Sequence, residues 1–145
     1  MQADFESIPK EKIAEFIHSV EEYLSQFPQT EIPINHYYSK NVYAREMIVP
    51  AGVILTGEIH KFENMNILLE GEVSVLSLDG YSRLKAPNVY TAQPGSKRLF
   101  KTHTEVKWLT VLGTDMKDPE LIRSNFTVKN YNEIEGVKCP LLSSR

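Results

Sequence analysis

The sequence predicts a mainly β fold, an antiparallel sandwich or barrel with a helix on either side of it. From Val42 to about Gly113, roughly eight short runs rich in β-branched and aromatic residues follow one another, broken by Pro and Gly. The absence of helical periodicity between them favours antiparallel pairing. Asp79-Gly80 separates two of these runs and is typical of a hairpin turn. We expect three parts along the chain: an N-terminal helix and linker (1–35), a β domain (36–114), and a C-terminal helix with an arm (115–145).

Composition and charge exclude several classes of function. The chain has 145 residues, of which 41% are hydrophobic and 24% are charged, which suits one globular domain. Its net charge of −3 provides no positive field, so we expect neither a nucleic acid polymer nor a membrane as a partner. Cys139 is the single cysteine, and the first residues lack the pattern of a secretory signal. We therefore expect a cytoplasmic protein.

The N-terminal region predicts an amphipathic helix over residues 8–26. Ser7 and Pro9 are typical of a helix start, and Pro28 and Pro33 indicate its end and an extended linker through IPINHYYSK. We expect the helix to pack on the domain or on a second subunit. Its apolar stripe, at about 3.6-residue spacing, consists of Ile13, Phe16, Ile17, Val20, Leu24 and Phe27.

Eight segments of the sequence are predicted to form strands, and the C-terminal part is predicted to form a second helix. Beyond Gly113, DMKDPELIRSNF predicts a short helix with Asp118 as its cap before Pro119. The tail VKNYNEIEGVKCPLLSSR predicts an arm on the surface or on a partner. The predicted strand segments are REMIVP, GVILTGEIHKF, MNILL, EVSVLSL, SRLKA, VYTAQ, SKRLFK and VKWLTVL.

The stretch PAGVILTGEIHKFENMNILLEGEVSV resembles the first motif of the cupin family, in which two histidines and a glutamate precede a glycine at set intervals. The second cupin motif would then fall at KAPNVYTAQPGSKRLFKTH. The chain also resembles small cupin-like proteins of tailed bacteriophages over about residues 36–114, through NVYAREMIVPAG, LTGEIHK, MNILLEG, LKAP, PGSKR and HTEVKWLTV. The resemblance implies a double-stranded β-helix, or jelly roll, whose mouth holds a metal in many members and an organic ligand without metal in others.

The resemblance also implies which positions would carry the metal ligands of the cupin motifs, so the residues at those positions can be compared with them. Alignment on Gly71 places Glu58 and His60 at the two histidine positions and Asn64 at the glutamate position, while Arg98 replaces the last histidine of the second motif. A guanidinium repels a divalent cation and has no lone pair to donate. We therefore expect no metal cofactor, with one divalent transition metal as the alternative.

Charged and aromatic residues in the two motifs indicate a ligand pocket. Because side chains alternate along a strand, residues 58, 60 and 62 should share one face. Lys97 and Arg98 follow a Pro-Gly turn, where arginine in particular can hold a phosphate or carboxylate through two parallel hydrogen bonds. The alternative for this pair is a solvated surface charge. The predicted ligand-binding residues are Arg98, His60, Glu58, Lys97, Arg45, Tyr43, Phe62 and Tyr90.

The leading functional hypothesis is a phage-type cupin-like protein that binds a small, anionic, nucleotide-like ligand without turning it over. The phage resemblance implies a purpose, which is the sequestration of a host antiviral signal in the host cytoplasm. We expect a homodimer or a higher symmetric oligomer, because jelly rolls commonly pair across a two-fold axis.

Two alternatives come from other classes of protein. The first is a metal-dependent cupin enzyme in which His60, His103 and Glu63 hold the metal, with Glu58 as the alternative carboxylate. The second is a structural or assembly protein, in which the jelly roll is a scaffold. The mark of such a scaffold would be a pocket filled by its own side chains: Phe62, Met65 and Tyr90.

Overall fold

The computed structural model describes residues 5–130, and it contains eleven strands and two α-helices in that range. The helices are α1 (Ile13–Leu24) and α2 (Pro119–Phe126), and neither is long and apolar enough to cross a bilayer. The strands are β1 (Ile34–Ser39), β2 (Val42–Val49), β3 (Ile54–Thr56), β4 (Ile59–His60), β5 (Asn64–Glu70), β6 (Glu72–Ser77), β7 (Gly80–Lys85), β8 (Asn88–Ala92), β9 (Arg98–Thr102), β10 (Val106–Leu112) and β11 (Thr127–Val128).

Two antiparallel sheets face each other across the core. The large sheet has the order β1-β2-β10-β5-β8, and the small sheet has the order β3-β9-β6-β7. Alternate residues of each strand point inward, and they form a cluster centred on Phe100 and Trp108, whose ring centroids are 5.0 Å apart. The rest of this cluster is Val49, Leu68, Val73, Val75 and Val106. This arrangement confirms the predicted jelly roll.

The N-terminal helix packs on the outer face of the small sheet. α1 buries Ile13, Ile17 and Val20 against Leu76 and Leu99, as its apolar stripe predicts. The α-helix is shorter than the predicted 8–26, because the residues before it form 3₁₀ turns over Phe5–Ser7 and Lys10–Lys12. The predicted start signals therefore precede the α-helix and do not cap it.

The C-terminal helix closes one end of the barrel. The predicted cap is confirmed, since Asp118 Oδ1 accepts hydrogen bonds from the backbone N–H groups of Glu120 and Leu121 at 3.0 and 3.5 Å. After α2 the chain forms β11, which pairs with β4 through Thr127 and His60, so the first residue of the predicted arm, Val128, lies on the domain. The rest of the predicted arm, from residue 131 onward, lies outside the described residues.

The strand pattern differs from the predicted one at two places. IPINHYYSK was predicted as a linker, but Ile34–Ser39 pairs with β2 and forms the edge of the large sheet. GVILTGEIHKF was predicted as one strand, but it divides into β3 and β4 at Gly57, whose N–H donates to the Arg98 carbonyl at 3.2 Å. The predicted hairpin at Asp79-Gly80 is confirmed, because β6 and β7 pair up to Ser77 and Gly80.

Candidate functional site

A cavity of about 1020 Å³ opens between the two sheets at the end of the barrel that α2 covers. Its floor contains Phe100 and Trp108, and its sides are formed by β1 and β2 of the large sheet and by β3 of the small sheet. The end of α1, the linker around residues 27–32 and α2 complete the wall. The cavity is large enough for an organic molecule of several rings.

Arg98 lies at the floor of this cavity and is only 6% exposed. Its guanidinium carbon is 5.5 Å from the ring centroids of Tyr90 and Phe100 and 5.7 Å from that of Trp108. One of its nitrogens, Nη1, donates a hydrogen bond to the Tyr90 hydroxyl. No carboxylate among residues 5–130 forms an ion pair with it. A buried positive charge therefore faces the cavity without a described counter-ion.

Arg45 faces the same cavity from the opposite sheet. It lies on β2 and is half-buried, and burial lowers the pKa of its guanidinium, with a smaller contribution from the charge of Arg123. Tyr43 and, to a smaller extent, the Glu58 carboxylate raise the pKa of Arg45. Within the described part of the chain, Arg45 makes neither a side-chain hydrogen bond nor an ion pair. It is the second cation of the pocket without a direct partner there.

His60, at the end of β4, lines the same cavity as these two cations. Burial is the main cause that lowers its pKa to about 4, and the charges of Arg98 and Arg45 lower it further. Its Nδ1 atom is buried without a hydrogen-bond partner, as is the Ser96 hydroxyl, again among residues 5–130. The imidazole is thus neutral at physiological pH, and its buried Nδ1 atom has no hydrogen-bond partner within the described residues.

Glu58 also lines the cavity, but its carboxylate is already bonded. Arg123 of α2 donates to Glu58 Oε1 through Nε at 3.1 Å and through a second nitrogen, and the Thr127 hydroxyl donates to Oε2 at 2.5 Å. These hydrogen bonds from Arg123, together with its charge, lower the pKa of Glu58 despite partial burial. Glu58 therefore fixes α2 over the pocket. Sequence reasoning missed Arg123, which carries no local signal and meets Glu58 only in the folded chain.

The other predicted ligand-binding residues divide into two groups. Tyr43 lines the cavity, and its hydroxyl lies 2.7 Å from His36 Nδ1. Lys97 lies outside it and forms an ion pair with Glu21 of α1. Strand alternation explains this result, because Arg98 and Lys97 point to opposite sides of the sheet.

The two other aromatic candidates do not line the cavity. Tyr90 lies behind Arg98 and supports its guanidinium. Phe62 is 53% exposed and packs edge-on against Phe126, because the strand ends at His60 and the predicted alternation does not continue. Met65 is exposed on the outer face of the large sheet. The residues proposed to fill the pocket therefore leave it open.

The structure does not bring the proposed metal ligands together. His103 accepts or donates a hydrogen bond with Ser74 at 2.7 Å and does not line the cavity, while Glu63 is exposed in the turn after β4. Within residues 5–130, no three His, Cys, Asp or Glu side chains form a cluster that could hold a metal ion.

The positions that carry metal ligands in the cupin motifs do not fit a metal either. Glu58 is bonded to α2, and Asn64 is buried with its Oδ1 accepting from Asn66 at 2.7 Å. Arg98 is a cation at the place of the last histidine. Of these residues, only His60 has a buried ligand atom without a hydrogen-bond partner in the described part of the chain, and it lines the same cavity as two positive charges.

Comparison of the backbone with known structures identifies the fold. A similar structure is an RmlC-like cupin family protein with a double-stranded β-helix from Methanocaldococcus jannaschii, with a TM-score of 0.50, 13% identity, and coverage of 60% of this chain and 84% of that chain. The chain has the cupin fold. A cupin superfamily protein from Desulfitobacterium hafniense DCB-2 is similar at a TM-score of 0.50 and 14% identity, over 61% of this chain and 83% of that chain.

A third similar structure is described as a predicted oxalate decarboxylase from Thermotoga maritima. Its TM-score is 0.50 and its identity 18%, over 59% of this chain and 82% of that chain. No protein-family profile and no curated protein sequence matches the chain. These likenesses concern the fold alone, so function has to be argued from the pocket itself.

Proposed function

We propose that this protein binds a small anionic molecule in the cavity between its sheets and does not turn it over. One observation carries the proposal: the Arg98 guanidinium is buried at the floor of the cavity without a counter-ion among residues 5–130. Arg45 reaches the same space from the opposite sheet and likewise lacks a direct partner in that range.

Energetics support an anion as the missing partner. Removing an arginine from water costs several kcal/mol. One hydrogen bond to Tyr90 and the faces of three aromatic rings offset only part of this cost, about 2–5 kcal/mol together. A carboxylate or phosphate would complete the hydrogen bonds of the guanidinium and neutralise its charge.

The size of the cavity supports a ligand with an organic body. A volume of about 1020 Å³ exceeds what a simple inorganic anion needs, and aromatic rings lie on the floor beside Arg98. We propose a nucleotide-like ligand, whose base would stack on such rings and whose phosphate would meet the arginines. The resemblance to phage cupin-like proteins adds a purpose, sequestration of a host antiviral signal in the host cytoplasm.

We also propose that a second copy of the chain covers the outer face of the large sheet. This face exposes Met65, Leu69 and Val89, of which Val89 is 58% exposed. Lys107 and Glu70 on the same face pair with each other at 3.4 Å. The face also carries Glu46, which accepts a hydrogen bond from Asn35 at 3.0 Å. Its apolar patch and few charges suit a two-fold contact with itself.

Native mass spectrometry of the gently purified full chain tests the binding function. We expect one organic anion per subunit, which is identified after release from the same sample. Arg98→Gln should carry none. The matched control is Arg83→Gln, since Arg83 on β7, at the edge of the small sheet, pairs with partly exposed Glu72 and does not line the cavity. Retention of the same molecule by Arg98→Gln would contradict the proposal.

A further inference from the structure

The charges that face the cavity indicate which kind of anion it takes. We propose that the anionic end of the ligand is a dianion of the terminal phosphate monoester class, in preference to a carboxylate or a phosphodiester. This inference rests on the proposed function, because it assumes that an anion binds between Arg98 and Arg45. It adds the charge and the shape of the group that binds there.

The first argument is the charge balance of the pocket wall. Its acidic residues are Glu21, Glu58 and Glu120. Glu21 is paired with Lys97, Glu58 is paired with Arg123, and Glu120 is exposed on α2 near Arg123. Arg98 and Arg45 remain as two positive charges without direct partners among residues 5–130. A phosphate monoester carries close to two negative charges at neutral pH, whereas a carboxylate and a phosphodiester each carry one.

The second argument is the direction from which the donors approach. Arg98 comes from β9 of the small sheet and Arg45 from β2 of the large sheet, so their N–H groups reach the cavity from opposite walls. A planar carboxylate presents two oxygens in one plane, which one guanidinium can occupy by itself. A terminal phosphate presents three oxygens on a tetrahedron and can accept from both walls at once.

The third argument is a polar side chain, that of His60, which lines the cavity together with the two cations. His60 Nδ1 and the Ser96 hydroxyl are buried and lack hydrogen-bond partners within residues 5–130. Of the two, only His60 lines the cavity. Its backbone N–H donates to the carbonyl of Ser96, two residues before Arg98, at 3.2 Å. As a neutral donor, His60 can serve a third oxygen without adding a further charge.

The test compares three small probes, methyl phosphate, dimethyl phosphate and acetate, on the full-length protein at pH 8 after removal of any ligand that co-purified with it. Titrations followed by two-dimensional amide NMR on ¹⁵N-labelled protein detect millimolar dissociation constants. Methyl phosphate should bind at least about tenfold more tightly than either monoanion, because it adds a unit charge at contact distance from a guanidinium. Arg45→Gln should reduce that preference to a few-fold, while Arg83→Gln should leave it unchanged. The dispersion of each spectrum shows that the variant folds.

The outcomes separate this inference from the proposed function. If methyl phosphate, dimethyl phosphate and acetate bind with similar affinity, the dianion inference is overturned and anion binding stands. If none of the three shifts any resonance of the cavity residues, the proposed function itself is overturned. A preference for methyl phosphate that survives in Arg45→Gln would remove Arg45 from the site.

Discussion

Replacement of Arg98 by methionine, combined with Tyr90→Phe, should abolish anion binding and leave the ligand-free protein as stable as the wild type. Methionine keeps the apolar stem that packs beside Phe100 and Trp108 and removes the charge. Tyr90→Phe removes the hydroxyl that would otherwise lose its donor. The two substitutions together leave neither a buried charge nor an unpaired polar group.

The expected change in the free energy of unfolding follows from the contacts of the Arg98 guanidinium. The variant loses one hydrogen bond to a charged group, about 1.5–3 kcal/mol, and cation–π contacts worth about 1–2 kcal/mol. The variant no longer has to remove the Arg98 charge from water, a step that costs several kcal/mol for a side chain that is 6% exposed. We therefore expect a free energy of unfolding equal to the wild type or up to about 2 kcal/mol higher. Tyr90→Phe alone should lose about 1–3 kcal/mol, because it leaves the charge without its hydrogen bond.

Urea unfolding followed by circular dichroism measures these values for the wild type, both single variants and the double variant, all freed of ligand. The four proteins form a double-mutant cycle, which isolates the coupling between the two side chains. If the double variant loses more than about 2 kcal/mol, Arg98 stabilises the fold and its lack of a counter-ion says nothing about a ligand. With ligand at a hundred times its dissociation constant, the wild type should gain about 2.7 kcal/mol. Tyr90→Phe keeps Arg98 and should also gain stability, whereas the two variants without Arg98 should gain none.

Three further predictions concern other parts of the molecule. The free energy of unfolding should fall as the pH is lowered from 6.5 to about 4, by up to about 1.4 kcal/mol per pH unit. The reason is that His60 is protonated in the unfolded chain over this range but stays neutral in the folded chain. An equal slope in urea titrations of His60→Gln would contradict this. Gly71→Ala should cost more than about 2 kcal/mol in the same assay, since Gly71 has a φ of +95° and an added Cβ would overlap the Glu105 carbonyl. The control Gly52→Ala has a φ of +76° and open space, and it should cost about 1 kcal/mol. Val89→Lys should convert a dimer into a monomer in light scattering, and a monomeric wild type would refute the proposed interface.

The parts of the fold that depend on local signals were predictable from the sequence. The Asp79-Gly80 hairpin and the Asp118 cap are each determined by a few adjacent residues, and both are confirmed. β1 was missed because its residues lie between prolines and a turn, and because five of its six positions are exposed at the sheet edge. The break at Gly57 was missed because it depends on a backbone hydrogen bond from the Gly57 N–H to the Arg98 carbonyl of β9, and no local pattern encodes that pairing.

The candidate site was predictable to the extent that strand alternation determines it. Arg98, Arg45 and His60 line one cavity, and Lys97 points away from Arg98 as alternation requires. The bonding of Glu58 was not predictable, because its partner on α2 is 65 positions away along the chain. A charged residue in a pocket motif can therefore be part of the wall that holds the pocket closed.

Trp108 gives the protein a spectroscopic property that follows directly from its position. It is the only tryptophan in the chain, it is 2% exposed, and it lines the cavity beside Phe100 and Arg98. Its indole N–H donates to Asn66 Oδ1 at 3.0 Å, so the ring is held in one orientation. Intrinsic tryptophan fluorescence therefore comes from a single indole at the cavity floor. A change in its emission on titration reports on that cavity without any label.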